Sequence, residues 1–355
     1  MSQRFLKKDS LKSFVDALAA DYSLYYIRKG TEGRLHLVEY RGELKGCVIG
    51  EVRPFEPLKN FFFCARERVV DGYDDSRQVK EADRKPFCIL GAKNCDLKGL
   101  DILDYVFAQG EFKDPFYIRN RRNNLIIAAD CTKSIETCFC LALGHKTYPE
   151  KNYDITVSEL REGYVIEAAT DKGERFLGKN EGLFGKVSQH HIDERDRIRK
   201  RTAEEVALNI RNNEIPNYTE YADIIKANLD SDIWQHEIEK CVECGCCNVI
   251  CPTCHCFYLI DTAEDDKSEV RFKVWDSCMY KRFARVAGGA NPRAHLWERL
   301  RNRFEKKFDY FPQVSGLFAC TGCGRCYSGC PAKIDIRRIL KELVAEKKTK
   351  KVKSV

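Results

Sequence analysis

Two cysteine runs constrain this chain more than anything else in it. Cys241, Cys244, Cys247 and Cys251 stand in the spacing C-x2-C-x2-C-x3-C, with Pro252 directly after. Cys320, Cys323, Cys326 and Cys330 repeat that spacing, with Pro331 directly after. Two-residue gaps let one tight loop wrap three thiolates around one face of an iron–sulfur cubane, and the fourth thiolate has to come from elsewhere. Gly245, Gly322 and Gly324 fall where such loops must turn or let backbone N–H groups approach sulfur. Structural zinc also uses C-x2-C pairs, often as two separated pairs. It gives no reason for two complete runs, each closed by Cys-Pro.

The spacing is that of two-cluster bacterial ferredoxins, in which the cysteine before proline ligates the other cluster. It assigns one [4Fe-4S] cluster to Cys241, Cys244, Cys247 and Cys330, and a second to Cys320, Cys323, Cys326 and Cys251. Exchanged fourth ligands hold the two clusters close enough for electrons to pass. The stretch between the runs is much longer than in a compact ferredoxin. It contains NPRAHLWERLRNRFEKKF (291–308), where Pro292 suits a helix start. The second run is followed by another helical pattern, IDIRRILKELVAEKK (334–348). The C-terminal unit is therefore expected to be a mostly helical ferredoxin-type domain holding two [4Fe-4S] clusters.

The rest of the chain can build cores. Of 355 residues, 43% are hydrophobic and 11% aromatic, which excludes a disordered or collagen-like chain. Mean hydropathy is −0.47 and no apolar run has the length to cross a bilayer, so no membrane span is expected. The N-terminus lacks the apolar core and cleavage site of a secretory signal, which points to a cytoplasmic protein. In that reducing compartment 19 cysteines, an odd count, argue for metal rather than disulfides. The formal net charge of +7 is modest and spread along the chain, so no nucleic-acid partner is expected.

The fold class expected is α+β, with a mixed α/β domain first. SLKSFVDALAA (10–20) has helical spacing with Ser10 as N-cap. GCVIG (46–50), PFCILG (86–91), NLIIAAD (124–130) and GYVIEAAT (163–170) look like strands, and DLKGLDILDYVF (96–107) looks like a helix. These give an N-terminal α/β domain over 1–170 and a charged, solvated helical connector over 171–230. The dicluster domain then spans 231–345, with a second helical pattern at about 217–240 leading into Cys241, and a basic tail spans 346–355.

Other cysteines invite a further site. Cys95 lies between an expected strand and helix, Cys131 follows another strand, and Cys138 and Cys140 come just after it. These four thiols can converge on a third [4Fe-4S] cluster, on zinc, or remain unligated core groups. Cys47, Cys64 and Cys88 read as core. Cys246, Cys254, Cys256 and Cys278 have no slot in the ligand count and read as packing thiols or, in CPTCHCF (251–257), as redox-active ones. His145, His190, His191, His236, His255 and His295 show no ligand spacing with one another, and no G-x-G-x-x-G or Walker loop argues for a bound nucleotide or flavin.

Together, GAKNCDLKGLDILD (91–104), DPFYIRNRRNNLIIAADC (114–131), ETCFC (136–140), CVECGCCNVICPTCHCF (241–257), WDSCMYKRFARVAGGANPR (275–293) and FACTGCGRCYSGCPAKIDIR (318–337) carry a resemblance over most of the chain. The chain resembles the iron–sulfur β subunit of soluble sulfhydrogenases (hydrogenase/sulfur reductase) and the related A subunit of anaerobic sulfite reductase. The resemblance implies an electron conduit in a multi-subunit oxidoreductase, between a flavin-bearing, NAD(P)H-reactive subunit and a catalytic metalloprotein subunit. It also favours the cluster at Cys95, Cys131, Cys138 and Cys140. After CFC, LALGHKTYPEKN (141–152) departs from the family's run of small residues and glycines, which fits a different partner there. Two other readings stand beside this one. A thiol such as Cys254, Cys256 or Cys278 would itself act on a sulfur substrate, or the chain would be a zinc-dependent nucleic-acid-binding module.

Overall fold

A computed structural model describes residues 3–71, 85–265 and 268–353. Its strands are β1 (Gln3–Lys7), β2 (Ser23–Lys29), β3 (Leu35–Glu39), β4 (Arg66–Asp71), β5 (Phe87–Ala92), β6 (Asn124–Ala129), β7 (Ile155–Glu159), β8 (Gly163–Ala168), β9 (Gly185–Lys186), β10 (Phe257–Asp265) and β11 (Ser268–Trp275). Eight form one sheet in the order β3-β2-β5-β6-β7-β8-β1-β9, and three form a second, β10-β11-β4. In the large sheet β2, β5, β6 and β7 run parallel.

Parallel strands need cover on both faces, and the central ones are apolar throughout for that reason. In β6, Leu125, Ile127 and Ala129 join the core that holds Phe14 and Leu18 from the helix Leu11–Asp21 and Leu177 from the helix Asp171–Lys179. Ile126 and Ala128 point the other way, into a core with Leu97, Leu100 and Leu103 from the helix Asn94–Asp104. The expected strands at 86–91, 124–130 and 163–170 correspond to β5, β6 and β8. Ser10 does precede the first helix, although its side chain makes no cap bond.

GCVIG (46–50) is not a strand. Only an isolated bridge joins Cys47 to Arg28. Gly46 turns the chain at φ +61, and a Cβ on Gly50 would lie 2.5 Å from the Glu159 carboxylate, which instead accepts the Gly50 N–H at 2.8 Å.

The charged stretch after 170 is bound to the sheet rather than solvated along its length. β9 pairs with β1, and the helix Gln189–Asn212 docks at the end of β6. There the Arg199 guanidinium holds the buried Asp130 carboxylate at 2.7 and 3.1 Å, and Glu205 accepts the Ser134 N–H at 2.9 Å.

Helices dominate the C-terminal part. Tyr221–Ala227, Ile233–Ile238, Leu296–Glu305 and Ile336–Lys353 enclose a core built on Tyr221, Trp234, Phe304, Phe308, Ile339, Leu340 and Leu343. This part is not helical throughout, because the hairpin of β10 and β11 lies between the cysteine runs and takes β4 as a third strand. Their β-branched and aromatic residues fit a pleated surface. Pro292 lies outside the helix it was expected to open. That helix begins at Leu296, where His295 and Glu298 form a reciprocal cap. The basic tail continues the last helix to Lys353, and 354–355 lie outside the described residues. Among the described residues no helix is long and apolar enough to cross a membrane.

Candidate metal centres

The loops around the first run are shaped by glycine and by sulfur. Gly245 sits at φ +70, and a Cβ there would come 2.5 Å from the Tyr280 hydroxyl. The Glu243 N–H donates to Cys241 Sγ at 3.4 Å, a contact that sets a sulfur's electron density. Cys241, Cys244 and Cys247 line a cavity of about 50 Å³, measured to water centres, and the cysteine that completes it, Cys330, comes from the second run. Cys246 and Cys326 also reach its wall, and Met279, Leu300, Phe304 and Ile339 close it with apolar surface. Burial pushes the Cys247 thiol up to about 12. A dry wall therefore disfavours a bare thiolate, and a cationic iron core is the kind of group that offsets this.

The second run lies against the loop that carries Cys138 and Cys140. Gly322 sits at φ +65, with a Cβ position 2.5 Å from Cys140 Cα, and Gly324 at φ +69, with one 2.2 Å from the Thr137 carbonyl oxygen. The Phe139 N–H donates to the Gly322 carbonyl at 2.9 Å. Burial raises Cys326 to about 11, with Cys323 and Cys251 near enough to add to the rise. Cys320 is pushed up to about 12 by burial, opposed by the nearby Lys307 ammonium. Cys251 itself is held well below the usual thiol range, first by a hydrogen bond with Cys254 and then by Lys307 and Arg303. Cys320, Cys323, Cys326 and Cys251 are thus neighbours.

A second cavity, of about 30 Å³ to water centres, is lined by Cys95, Cys131, Cys138 and Cys140 together. Cys95 stands in the first turn of the helix after β5, and Cys131 is the second residue after β6. Both occupy the carboxyl ends of parallel strands, where such sheets place their ligands. Gly322 and Cys323 form part of the same wall, so this cavity adjoins the second run. Arg325 and Asp96, both fully buried and paired at 2.8 Å, lock the two together from behind, and Arg53 donates to the Cys323 carbonyl at 2.5 Å.

The donor sets suit a cluster better than a single ion. Among the described residues no three of His, Cys, Asp and Glu converge closely enough to hold one metal ion. Zinc–sulfur bonds of roughly 2.3 Å would require that convergence. Soft thiols spread around an apolar cavity, with tight glycine turns and N–H donors toward sulfur, match a cubane instead.

The other cysteines divide into two kinds. Cys88 is fully buried in the sheet core and Cys47 packs against it, pushed up to about 12 by burial. Cys64 is half-buried. Cys254, Cys256 and Cys278, by contrast, line a third cavity together with His255, Asn248, Arg303, Lys306 and Lys307. Burial lowers His255 to about 3, so its imidazole is neutral. Sequence spacing gave no signal for His255, because its neighbours in space, Cys278 and Arg303, are brought in by the hairpin and the helix Leu296–Glu305.

Residues 240–334 match the family model of a 4Fe-4S dicluster domain. Over 291 residues, 82% of this chain and 84% of the relative, the sequence is 32% identical to the sulfhydrogenase 2 subunit beta of Pyrococcus furiosus.

Proposed function

From the premise that the chain belongs to the family of sulfhydrogenase β subunits, an iron–sulfur electron-transfer subunit, we propose a relay of three [4Fe-4S] clusters through it. Cys241, Cys244, Cys247 and Cys330 hold the first; Cys320, Cys323, Cys326 and Cys251 hold the second; Cys95, Cys131, Cys138 and Cys140 hold the third. The observation that carries this reading is the pair of four-thiol cavities, one completed across the two runs by Cys330 and one built at the strand ends. Each cluster, when bound, takes up and gives off one electron at a time.

The chain's own residues fix spacing and potential. Cys323 of the second run lines the N-terminal cavity, while Cys326 of the same run borders the first cavity, so the three sets follow one another without a gap. Lys307 donates to Cys251 Sγ at 3.5 Å, and Arg303 to the Cys247 carbonyl at 2.9 Å. Positive charge held this close favours the reduced, more negative cluster. One end of the series reaches the surface, where Cys244 is exposed beside Val242, itself 68% exposed. That edge suits a partner subunit. The partners in this reading are a flavoprotein subunit and a catalytic metalloprotein subunit, in a cytoplasmic complex of hydrogenase or sulfur/sulfite-reductase type.

Replacing Cys131 by Ser in anaerobically purified protein is expected to remove about four irons and four sulfides per chain and one S = 1/2 component of the reduced EPR spectrum. Unchanged iron in that variant would contradict the third site.

A further inference from the structure

Three cations, Lys59 from the N-terminal part and Arg303 and Lys307 from the C-terminal part, are buried around the first cysteine run without a carboxylate. Lys59, Arg303 and Lys307 are 2%, 6% and 4% exposed. Lys59 Nζ donates to the carbonyls of Asn248 and Cys254 at 2.8 and 3.2 Å and lies 4.2 Å over the Trp275 ring. Arg303 donates to the Cys247 carbonyl, to Asn248 Oδ1 and to Cys254 Sγ at 3.6 Å. Lys307 donates to Cys251 Sγ, Thr253 Oγ1 and the Ala319 carbonyl. Among the described residues none of the three has an acidic partner. Buried charges are paired or they bind a counter-ion, and the ionisable groups that Arg303 and Lys307 reach are the sulfurs of Cys254 and Cys251.

Three sulfurs, one of them Cys254, surround a cavity of about 20 Å³ to water centres. Cys254, Cys256 and Cys278 line it, with Arg303, Lys306 and Lys307 on the same wall. Asn248 Nδ2 donates to Cys278 Sγ at 3.1 Å, so two of the three sulfurs already receive a donor. His255 lines the same cavity, and its Nδ1 sits 3.0 Å from the Thr253 carbonyl oxygen. A carbonyl only accepts, so Nδ1 carries the proton and the lone pair is on Nε2. A metal-ligating histidine is held in this way, with its other ring nitrogen donating to a backbone carbonyl.

We propose that Cys254, Cys256, Cys278 and His255 hold a fourth [4Fe-4S] cluster, bound by three thiolates and one imidazole. The proposal rests on the three-cluster reading above and extends it. Three thiolates and a cubane leave a net negative group in the pocket, which answers Arg303, Lys306 and Lys307 on its wall, with Lys59 donating to the Cys254 carbonyl beside it. Imidazole in place of a fourth thiolate removes one negative charge, so this cluster is the easier to reduce, as histidine ligation raises potentials elsewhere. The pocket touches both runs. Lys307 on its wall also donates to Cys251 Sγ, and Asn248, which donates to Cys278, directly follows Cys247 in the chain. The fourth cluster is a side branch on the relay where an electron can wait.

Iron and acid-labile sulfide are counted on anaerobically purified full-length protein and on the double variant Cys256→Ser/Cys278→Ser. The expected result is about sixteen irons in the wild type and about twelve in the variant, with matching sulfide. About twelve in both overturns the fourth site and leaves the three-cluster reading standing. About eight or fewer in the wild type overturns that reading and this one with it. Pulsed EPR of the reduced wild type is independent of how the variant folds. A strongly coupled imidazole nitrogen that disappears in His255→Ala supports the site, and its absence from the wild type overturns it.

Discussion

Arg325 and Asp96 meet at 2.8 Å with neither side chain exposed, and each is the chain neighbour of a thiol, Cys326 and Cys95. Arg325 also donates to the carbonyls of Pro54, Phe55 and Glu56. Removing one partner of such a pair leaves a buried charge alone, which costs about 3–5 kcal/mol. Arg325→Met is therefore expected to destabilise the protein by about that amount in anaerobic denaturant unfolding, while Arg325→Met with Asp96→Asn costs less than the single change. Equal losses in the two would contradict the pairing. Lys307 tests electrostatics instead of stability. One charge at about 4 Å in a protein interior of effective dielectric about 20 is worth about 4 kcal/mol, which for one electron is on the order of 100 mV. Lys307→Met should lower the potential of the second cluster by that order in an EPR-monitored redox titration. An unchanged potential would show that the ammonium does not act on it.

At the scale of elements, the junction between the second cysteine run and the 137–140 loop decides whether the parts hold together. Gly322 combines φ +65 with a Cβ position 2.5 Å from Cys140 Cα. A side chain there adds left-handed strain of about 1–2 kcal/mol and overpacking of about 1–3 kcal/mol. Gly322→Ala should lower stability by about 2–5 kcal/mol in denaturant unfolding and reduce iron content, whereas the same change at exposed Gly182, which has nothing within 4 Å, should do neither. The cysteine runs and the glycines inside them were legible as a pattern because a cubane dictates local spacing. The central strands were legible because both of their faces are buried. The segment 46–50 was misread because an apolar run flanked by glycines also describes a turn that packs. The hairpin of β10 and β11 went unread because its partner, β4, comes from the N-terminal part of the chain, far away in sequence. The closing of the N-terminal thiol cavity by Gly322 and Cys323 is likewise long-range, and no spacing rule reports it.

For the whole molecule, the arrangement orders the sites from the strand ends of the large sheet, past Cys323 and Cys326, to the exposed Cys244. Clusters this close should interact magnetically, so the fully reduced protein is expected to give a broadened EPR spectrum that resolves into separate signals on partial reduction. Independent signals at every level of reduction would contradict the spacing. The central claim is that the cysteines hold iron–sulfur clusters in series, and the measurement that tests it most directly is iron, acid-labile sulfide and zinc per chain after anaerobic purification. The relay predicts about twelve irons, or about sixteen with the pocket at Cys254, Cys256 and Cys278 filled, with equal sulfide and no zinc. Zinc without sulfide would contradict it outright, and eight irons or fewer would end the series before it reaches the sheet.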